Sequence, residues 1–490
     1  MTYWELVCRA AADYPERVVL ADDHGRTLTT TELRDATECV AAGLPVKPGE
    51  KVSWQLPTCL EALVLMMALA RLGATQNPII MQLRERELRI ITNQLDPALY
   101  ITPSVWRGYP HADVARDLGC EFLALDFEAE PGPELRLPTG DPAVLPPPPD
   151  HDPYWVYYTS GTTADPKGVK HTDSSLIASA GGVIEHSGLR HPEVYPISFP
   201  VAHIGGIDML TCGLRAGLKL VVFDKWDPLT TPERMAAHRP TILGSAQPFF
   251  RAYIDAQRRH GDKPLFPEVH AFVAGGAPTS PEIARELRDV FGANVVGSYG
   301  LTEFPIATAA AEGDPEDVLL RSVGKPSPGV DIRLVDGEVW LKGPQAFSGY
   351  IDASLDGGAR EADGWVRSGD LGEWDDEGNL YITGRLKDII IRNAENISAL
   401  EIEDIILRHP GVVDVAVIGL PDPRTGERVC AVITLRDNVT LDVPTLAAHC
   451  QANGLAKYKC PEQVEVVSML ERNSMGKLLK QQLREGLMNV

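Results

Sequence analysis

The chain has 490 residues, too many for one small core, so two or more structural units are expected. The apolar fraction of 44% and the charged fraction of 23% are ordinary for a soluble globular protein. The formal net charge of -22 argues against a nucleic-acid partner and against docking on anionic membrane, because both need excess positive charge.

The N-terminus and the cysteines favour a cytoplasmic protein. Residues 1–5 lack the basic region and apolar core of a secretory signal. The longest apolar run, residues 62–70, is too short to cross a bilayer and predicts a buried helix. The eight cysteines are scattered without a C-x-x-C pair, so neither a zinc site nor a redox pair is indicated. Buried, reduced thiols are therefore expected.

Helical and strand patterns alternate through the first two thirds of the chain. A capping box at Thr29 and Glu32 precedes a predicted helix over residues 33–44. A strand is predicted over residues 51–55 and a helix over residues 60–72. Such alternation predicts parallel sheets covered by helices. The proline-rich residues 131–153 fit neither a central strand nor a helix and predict an exposed connector.

That connector leads to residues 158–169, which read Tyr-Thr-Ser-Gly-Thr-Thr-Ala-Asp-Pro-Lys-Gly-Val. Backbone N–H groups and hydroxyls in such a loop can point at anionic oxygens, glycine permits close approach, and Lys167 adds charge. The composition therefore suits a polyphosphate. It is not a Walker A loop, because Pro166 precedes the lysine and Gly168 follows it.

Three later motifs carry further oxygen and charge chemistry. Thr302 and Glu303 place a hydroxyl beside a carboxylate, a pair that can hold Mg²⁺ against phosphate, although a strand end with a helix cap is the alternative. Asp370, in Ser-Gly-Asp, can accept both hydroxyls of a ribose from a tight turn. Lys477, after Gly476, can bridge a carboxylate and a phosphate and so relieve their repulsion.

The pattern changes near residue 385. Short apolar runs over residues 389–391, 412–420, 429–435 and 464–467 predict strands, and residues 444–453 predict a helix. Ile402, Ile405 and Ile406 mark one face of another helix. This is an α+β unit of about a hundred residues, a usual size for a domain.

In order and spacing these motifs resemble the adenylate-forming superfamily of acyl-CoA synthetases, luciferases and peptide-synthetase adenylation domains. Residues 158–169 depart from the family loop only at Ala164. The resemblance implies an α/β fold, with a large N-terminal domain of stacked sheets (1–384) and a small mobile α+β C-terminal domain (385–490). ATP and the substrate would lie at the junction of the two domains.

The resemblance also implies roles for individual residues. Tyr299 would stack on adenine, Thr302 would contact the α-phosphate, Glu303 would bind magnesium, Asp370 and Arg385 would hold the ribose, and Lys477 would be the catalytic lysine. The remaining nucleotide-binding positions are Thr159, Ser160, Gly161, Thr162, Thr163, Lys167, Gly276, Ala277, Pro278, Ser298 and Gly300.

The acid pocket is inferred from two more family segments. His203 corresponds to the residue beside the reacting carboxylate, and the expected pocket residues are Ile204, Gly205, Gly206, Gly275, Ile306 and Ala307. Relatives that activate α-amino acids have an aspartate where Ile204 stands. Because a buried ammonium without a counter-charge is costly, an α-amino acid is disfavoured. An apolar acid (fatty, alicyclic, aryl or steroid-derived) is expected.

The resemblance places a hinge at Lys387 and the tunnel for the acceptor thiol at Ala394. The family usually has Gly-Gly where Asn393 and Ala394 stand, and prolines where Ala399 and Glu471 stand. The predicted function is ATP- and Mg²⁺-dependent conversion of a carboxylic acid to acyl-AMP, followed by thioester formation with CoA. The alternatives are an adenylation protein that loads carrier-protein pantetheine and a non-catalytic nucleotide-binding relative. The oligomeric state and the identity of the acid are not predicted.

Overall fold

The computed structural model describes residues 1–159, 166–186, 189, 192–197, 199–276, 279–393, 395–472 and 477–488. The helices are α1 (Tyr3–Asp13), α2 (Thr30–Gly43), α3 (Leu60–Arg71), α4 (Glu85–Leu95), α5 (His111–Arg116), α6 (Asp173–His186), α7 (Ile204–Ala216), α8 (Thr231–Ala236), α9 (Gln247–His260), α10 (Pro281–Phe291), α11 (Glu316–Arg321), α12 (Ala399–Leu407), α13 (Val443–Ala452) and α14 (Lys480–Met488).

The strands are β1 (Val18–Asp22), β2 (Thr27–Thr29), β3 (Lys51–Trp54), β4 (Thr75–Pro78), β5 (Leu99–Pro103), β6 (Phe122–Leu125), β7 (Tyr154–Thr159), β8 (Lys167–Thr172), β9 (Val194–Ile197), β10 (Lys219–Val222), β11 (Ile242–Ser245), β12 (Ala271–Ala274), β13 (Asn294–Leu301), β14 (Phe304–Ala309), β15 (Lys325–Pro326), β16 (Asp331–Val335), β17 (Glu338–Lys342), β18 (Gly349–Tyr350), β19 (Val366–Trp374), β20 (Leu380–Arg385), β21 (Ile389–Arg392), β22 (Glu395–Ser398), β23 (Val412–Asp422), β24 (Gly426–Leu435) and β25 (Gln463–Val466). Short 3₁₀ turns lie at Pro142–Val144, Ala353–Gly358, Leu386–Asp388 and Lys457–Lys459.

The strands before residue 386 form four sheets. The largest has the order β18-β8-β7-β4-β3-β5-β6, with β7, β4, β3, β5 and β6 parallel and β8 and β18 antiparallel at one edge. The second, β11-β12-β13-β14-β15, is parallel up to β13 and antiparallel beyond it. The other two have the orders β2-β1-β10-β9 and β16-β17-β19-β20. Parallel strands joined by helices thus build most of the chain up to β13, as the alternating pattern predicts, whereas the sheet β16-β17-β19-β20 is antiparallel throughout.

The predicted elements of the first two thirds are confirmed with small shifts of their ends. The capping box is present at the start of α2, where Thr29 accepts from the backbone of Glu32 and the Glu32 carboxylate accepts from the backbone of Thr29. Every residue of α3 is buried, because residues 62–70 are apolar on all sides and fit only inside a core, and the buried Glu61 pairs with Arg26. The connector over residues 131–153 contains a single 3₁₀ turn and is mostly exposed.

The expectation for the cysteines is partly wrong. All eight are free, but Cys8, Cys39 and Cys120 are half-buried rather than buried. Cys8 and Cys39 lie on α1 and α2, which cover the outside of the core, whereas Cys120 precedes an edge strand.

The chain after residue 388 forms a separate α+β unit with its own core. Strands β22, β21, β24 and β23 form an ordered sheet, β25 pairs with β24, and α12 and α13 contribute to the same apolar cluster. The predicted fold class, α/β with a large N-terminal part and a small α+β C-terminal part, is confirmed. Within the described ranges, every helix is too short or too polar to cross a bilayer.

Candidate active site

The predicted phosphate loop joins two paired strands at one edge of the largest sheet. Thr159 ends β7, Lys167 begins β8, and the two residues are partners in the antiparallel ladder. Because β7 runs parallel to β4, the loop follows the carboxyl end of a parallel strand, where open α/β sheets bind ligands. Ser160, Gly161, Thr162 and Thr163 lie outside the described residues.

Thr302 and Glu303 form the two-residue turn of a β-hairpin. Leu301 at the end of β13 pairs with Phe304 at the start of β14. A strand end followed by a helix cap at Thr302 was the alternative interpretation of the sequence. The strand does end here, but a second strand and not a helix follows the turn. Gly300 permits this sharp reversal, since a Cβ at that position would lie 2.5 Å from the backbone nitrogen of Ile306.

Three hydrogen bonds fasten this turn to the neighbouring sheet. The imidazole Nε2 of His171 on β8 lies 2.7 Å from the Thr302 carbonyl oxygen. The backbone N–H of Phe347 donates to the Glu303 carbonyl at 2.9 Å. The phenol of Tyr350 on β18 donates to Glu303 Oε1 at 2.8 Å. The hydroxyl and carboxylate of the turn are thereby held next to the strand that begins with Lys167.

The Ser-Gly-Asp motif places Asp370 between two side chains that were predicted to hold the nucleoside. Asp370 lies on β19 opposite Arg385 on β20 and is 4% exposed. Arg385 Nε donates to Asp370 Oδ1 at 2.8 Å, and the Tyr299 phenol donates to Oδ2 at 2.8 Å. The predicted adenine and ribose residues therefore form one buried hydrogen-bonded group. Burial, followed by the Asp370 charge, raises the pKa of Tyr299, so its phenol stays protonated as a donor.

Two lysines approach this group from the C-terminal part of the chain. Burial, and then the charges of Arg385 and Lys387, lower the pKa of Lys477 to about 8. Burial, and then Arg385, also lower the pKa of Lys387, to which Lys167 makes a smaller contribution. Lys387 thus lies within electrostatic range of three other cations, Arg385, Lys167 and Lys477, which come from three separate parts of the chain. Such an arrangement suits a polyanionic ligand, which would relieve their mutual repulsion.

His203 starts α7 as its N-cap, with Nδ1 accepting from the backbone N–H of Gly205 at 3.3 Å. Burial lowers the pKa of His203 to about 4, so the ring is neutral and its single proton belongs on Nε2. Thr58 fixes the segment before it, donating to the Phe199 carbonyl at 2.9 Å and accepting from the Val201 N–H at 3.3 Å. The result is one oriented N–H donor.

Five of the expected pocket residues lie on two elements. Ile204, Gly205 and Gly206 form the first turn of α7, and Ile306 and Ala307 lie on β14. Ile306 has a φ of 48°, in the left-handed region that a β-branched residue rarely adopts. Its side chain packs against α6 at Gly182, where a Cβ would lie 2.9 Å from Ile306 Cγ2. Ala307 is fully buried, whereas Ile306 and Gly205 are half-buried.

The segment expected to flank adenine is partly described. Gly275 and Gly276 follow β12, and a Cβ on Gly275 would lie 3.1 Å from Ser298 Oγ on the adjacent β13. Ser298 Oγ donates to the Ala274 carbonyl at 3.1 Å. Ala277 and Pro278 lie outside the described residues, as does Ala394 of the expected thiol tunnel.

The Thr302–Glu303 turn suits a magnesium ion that takes some of its ligands from the protein and the others from phosphate oxygens. Tyr350 occupies Oε1 of Glu303, and across the described part of the chain Oε2 accepts no hydrogen bond. Mg²⁺ is usually bound through one or two carboxylates together with substrate phosphates. The described residues contain no cluster of three His, Cys, Asp or Glu suited to a metal.

Sequence reasoning missed three residues that contact this site: His171, Tyr350 and Thr58. His171 lies four positions after Lys167 and on the same strand, so the spacing could have linked it to the loop. Tyr350 and Thr58 are far from the residues they hold, at sequence separations of 47 and 141. For these two, the sequence pattern offered no indication.

Asp370, Arg385 and Tyr299 form one hydrogen-bonded group, and the Thr302–Glu303 turn is held beside the strand that begins with Lys167. This arrangement is compatible with a nucleotide-binding site, and comparison with known proteins identifies the family. A family model described as AMP-binding enzyme matches residues 7–351, and one described as AMP-binding enzyme C-terminal domain matches residues 401–477. The chain belongs to the AMP-binding enzyme family, and the family predicted from the motifs is confirmed.

Curated relatives and solved structures extend the likeness over nearly the whole chain. The medium-chain fatty-acid–CoA ligase of Escherichia coli is 29% identical over 99% of this chain and 90% of its own length. The sulfoacetate–CoA ligase of Cupriavidus necator is 30% identical over 98% of this chain and 96% of its own. The ATP-bound crystal structure of MatB from Rhodopseudomonas palustris is 27% identical, with a TM-score of 0.88 and 99% of each chain covered. The predicted enzyme class, an AMP-forming acid–thiol ligase, is confirmed.

Proposed function

We propose that this enzyme is a carboxylic acid–CoA ligase whose acid is apolar. The observation that carries the proposal is the buried Asp370 carboxylate, which accepts from Arg385 and Tyr299 and whose charge acts on Lys477. Acyl-AMP formation needs a ribose acceptor, a guanidinium beside the ribose and an ammonium within electrostatic range of both. The acid is proposed to bind along α7 and β14.

In the first half-reaction, a carboxylate oxygen attacks the α-phosphorus of ATP, and the bond to the β,γ-pyrophosphate breaks. Asp370 and Arg385 would hold the ribose, and the Lys477 ammonium would offset the repulsion between the carboxylate and the phosphate. The neutral His203 would donate Nε2–H toward the acid. Thr302 and Glu303 would hold Mg²⁺, which when bound neutralises phosphate charge.

In the second half-reaction, the thiol sulfur attacks the acyl carbonyl carbon, AMP leaves, and the thiol proton passes to solvent. We propose that residues 385–490 rotate about Lys387 relative to residues 1–384 between the halves, which withdraws Lys477 and opens a path past Ala394. Lys387 lies in a single 3₁₀ turn between β20 and β21, a short connection that can absorb such a change. The cytoplasm, which supplies ATP and CoA, is the proposed location.

The expected pocket lacks the charge that a second anionic group would need. The described members of that set are Ile204, Ile306, Ala307 and three glycines, with the neutral His203 beside them. Burying a sulfonate or second carboxylate there without a cation would be costly. This supports a fatty, alicyclic, aryl or steroid-derived acid, although one relative acts on sulfoacetate.

The test is a pyrophosphate-release screen over fatty, alicyclic, aryl, steroid-derived and sulfonated acids, each with and without CoA. The proposal expects release with an apolar acid, stimulation by CoA and no release with the sulfonated acid. Lys477→Ala is the matched inactive control. Release that is stimulated only by a pantetheinylated carrier protein would favour the carrier-loading alternative, and no release with any acid would refute the enzyme assignment.

A further inference from the structure

Tyr350 lies between two residues of the proposed ATP site that come from different parts of the chain. Its phenol donates to Glu303 Oε1 at 2.8 Å, and the Lys167 ammonium lies 5.6 Å from the centre of its ring. Tyr350 is 4% exposed, so the ring is an internal component of the site rather than a surface residue.

The position of this ring is closely fixed. Strand β18 pairs with β8, with Tyr350 opposite Val169. The Tyr350 backbone N–H donates to Asp356 Oδ1 at 2.7 Å, and the Phe347 ring contacts the Tyr350 ring edge-on at 5.0 Å between centroids. A phenol held in this way acts as a rigid support for whatever it touches.

The two contacts have different physical consequences. A glutamate side chain has several rotatable bonds, and a hydrogen bond to one oxygen restricts the direction of the other. Holding Oε1 therefore limits the directions that Oε2 of Glu303 can take. The quadrupole of the ring attracts the Lys167 ammonium to the ring face, which restricts the conformations of that long side chain.

We propose that Tyr350 is a positioning residue that orients Glu303 toward magnesium through its hydroxyl and steadies Lys167 through its ring. This deepens the proposed function and rests on it, since it assumes that Glu303 and Lys167 bind Mg²⁺ and phosphate. Tyr350 touches neither the acid nor the reacting atoms; it acts through these two side chains.

The experiment compares Tyr350→Phe with wild type by calorimetric titration of ATP, once with Mg²⁺ and once with EDTA. Removing the hydroxyl leaves the ring in place, so Kd for Mg²⁺-ATP is expected to rise about tenfold, the loss of one hydrogen bond to a charged group. Kd for metal-free ATP should change by less than about twofold. The control is Tyr381→Phe, which removes a phenol that donates to Asp375 Oδ2 at 3.4 Å elsewhere on β20.

Two further variants separate positioning from a general structural role. In a Glu303→Gln background, Tyr350→Phe should have no additional effect on Kd for Mg²⁺-ATP, because the side chain it acts through is already altered. If Tyr350→Phe folds poorly, 4-aminophenylalanine at position 350 retains a donor and should restore the wild-type Mg²⁺ dependence.

Equal rises in Kd with and without metal, or no rise in either, would overturn the proposal. So would failure of the donor-retaining variant to restore magnesium dependence. A wild-type protein that binds no ATP in either titration would instead overturn the proposed function. The two failures are therefore distinguishable.

Discussion

Removing the ammonium of Lys477, by substitution or by raising the pH, should block acyl-AMP formation while sparing the second half-reaction. The lowered pKa of Lys477 sets the size of the expected effect. Burial and the neighbouring Arg385 and Lys387 lower the pKa of Lys477 from 10.5 to about 8. That corresponds to roughly 3 kcal/mol by which the charged form is disfavoured before an anion arrives. Binding of a polyanion reverses this disadvantage.

Lys477→Ala should therefore lower the rate of acid-dependent ATP–pyrophosphate exchange by about 10²–10³-fold, the usual loss when one electrostatic stabiliser is removed. The pH profile provides an independent check. The ammonium is required, and it is lost as the pH rises through about 8, so kcat/KM for ATP should fall roughly tenfold per pH unit above that value. The Lys477→Arg variant keeps its charge, so its kcat/KM for ATP should be lower than that of the wild type but independent of pH over that range.

Both half-reactions should be measured on the same preparation, with synthetic acyl-AMP and CoA used for the second. Thioester formation from acyl-AMP should stay within about threefold of wild type in Lys477→Ala, because the proposed role of the ammonium is confined to the first half-reaction. If thioester formation falls as far as exchange in a protein with an unchanged Tm, the assigned role is wrong. A wild-type profile that is flat to pH 9.5, about 1.5 pH units above the lowered pKa, would contradict the electrostatic argument.

Asp370→Ala should raise KM for ATP and leave KM for the acid nearly unchanged, since a charged acceptor for ribose is worth roughly 1.5–3 kcal/mol; an unchanged KM for ATP would count against the ribose role. Lys387→Pro fixes φ near about −65° and should preserve exchange while CoA-dependent turnover collapses; full CoA ligation in a folded variant would exclude the hinge. His171→Leu leaves the Thr302 carbonyl unpaired and should lower the free energy of unfolding by about 1–3 kcal/mol, with His171→Gln recovering part of it in urea titrations. Burial lowers the pKa of His171 to about 4, so its stabilising contribution is complete above pH 6.5 and is lost as the pH falls toward 4, a loss that His171→Gln should reduce.

The helices and strands could be predicted from the sequence because residues close together in the chain determine them. Helix α2 begins where Thr29 and Glu32 form a capping box. Residues 62–70 of α3 are all apolar, which leaves burial as their only stable arrangement. The motifs along β7, β13 and β19 were likewise recognisable because each concentrates unusual chemistry within a few residues.

The hydrogen bonds between motifs could not be predicted, because they depend on which strands pair and in which register. Nothing in the sequence joins the Tyr299 phenol to Asp370 or the Tyr350 phenol to Glu303. Each of these contacts requires knowing which strands are neighbours and which faces they share. The half-buried cysteines escaped prediction for a related reason, because composition does not show which helix lies outermost.

The left-handed backbone of Ile306 has a consequence for redesign of the proposed acid pocket. An L-residue pays about 1–2 kcal/mol for that conformation, and most enlargements of a binding pocket cost stability because they remove packing. At this position the two effects oppose each other: glycine would relax the backbone while vacating the space beside Gly182. Substitutions of Ile306 that enlarge the pocket should therefore lower the free energy of unfolding less than substitutions on α7. Directed evolution toward bulkier acids should accordingly select changes at this position among the first.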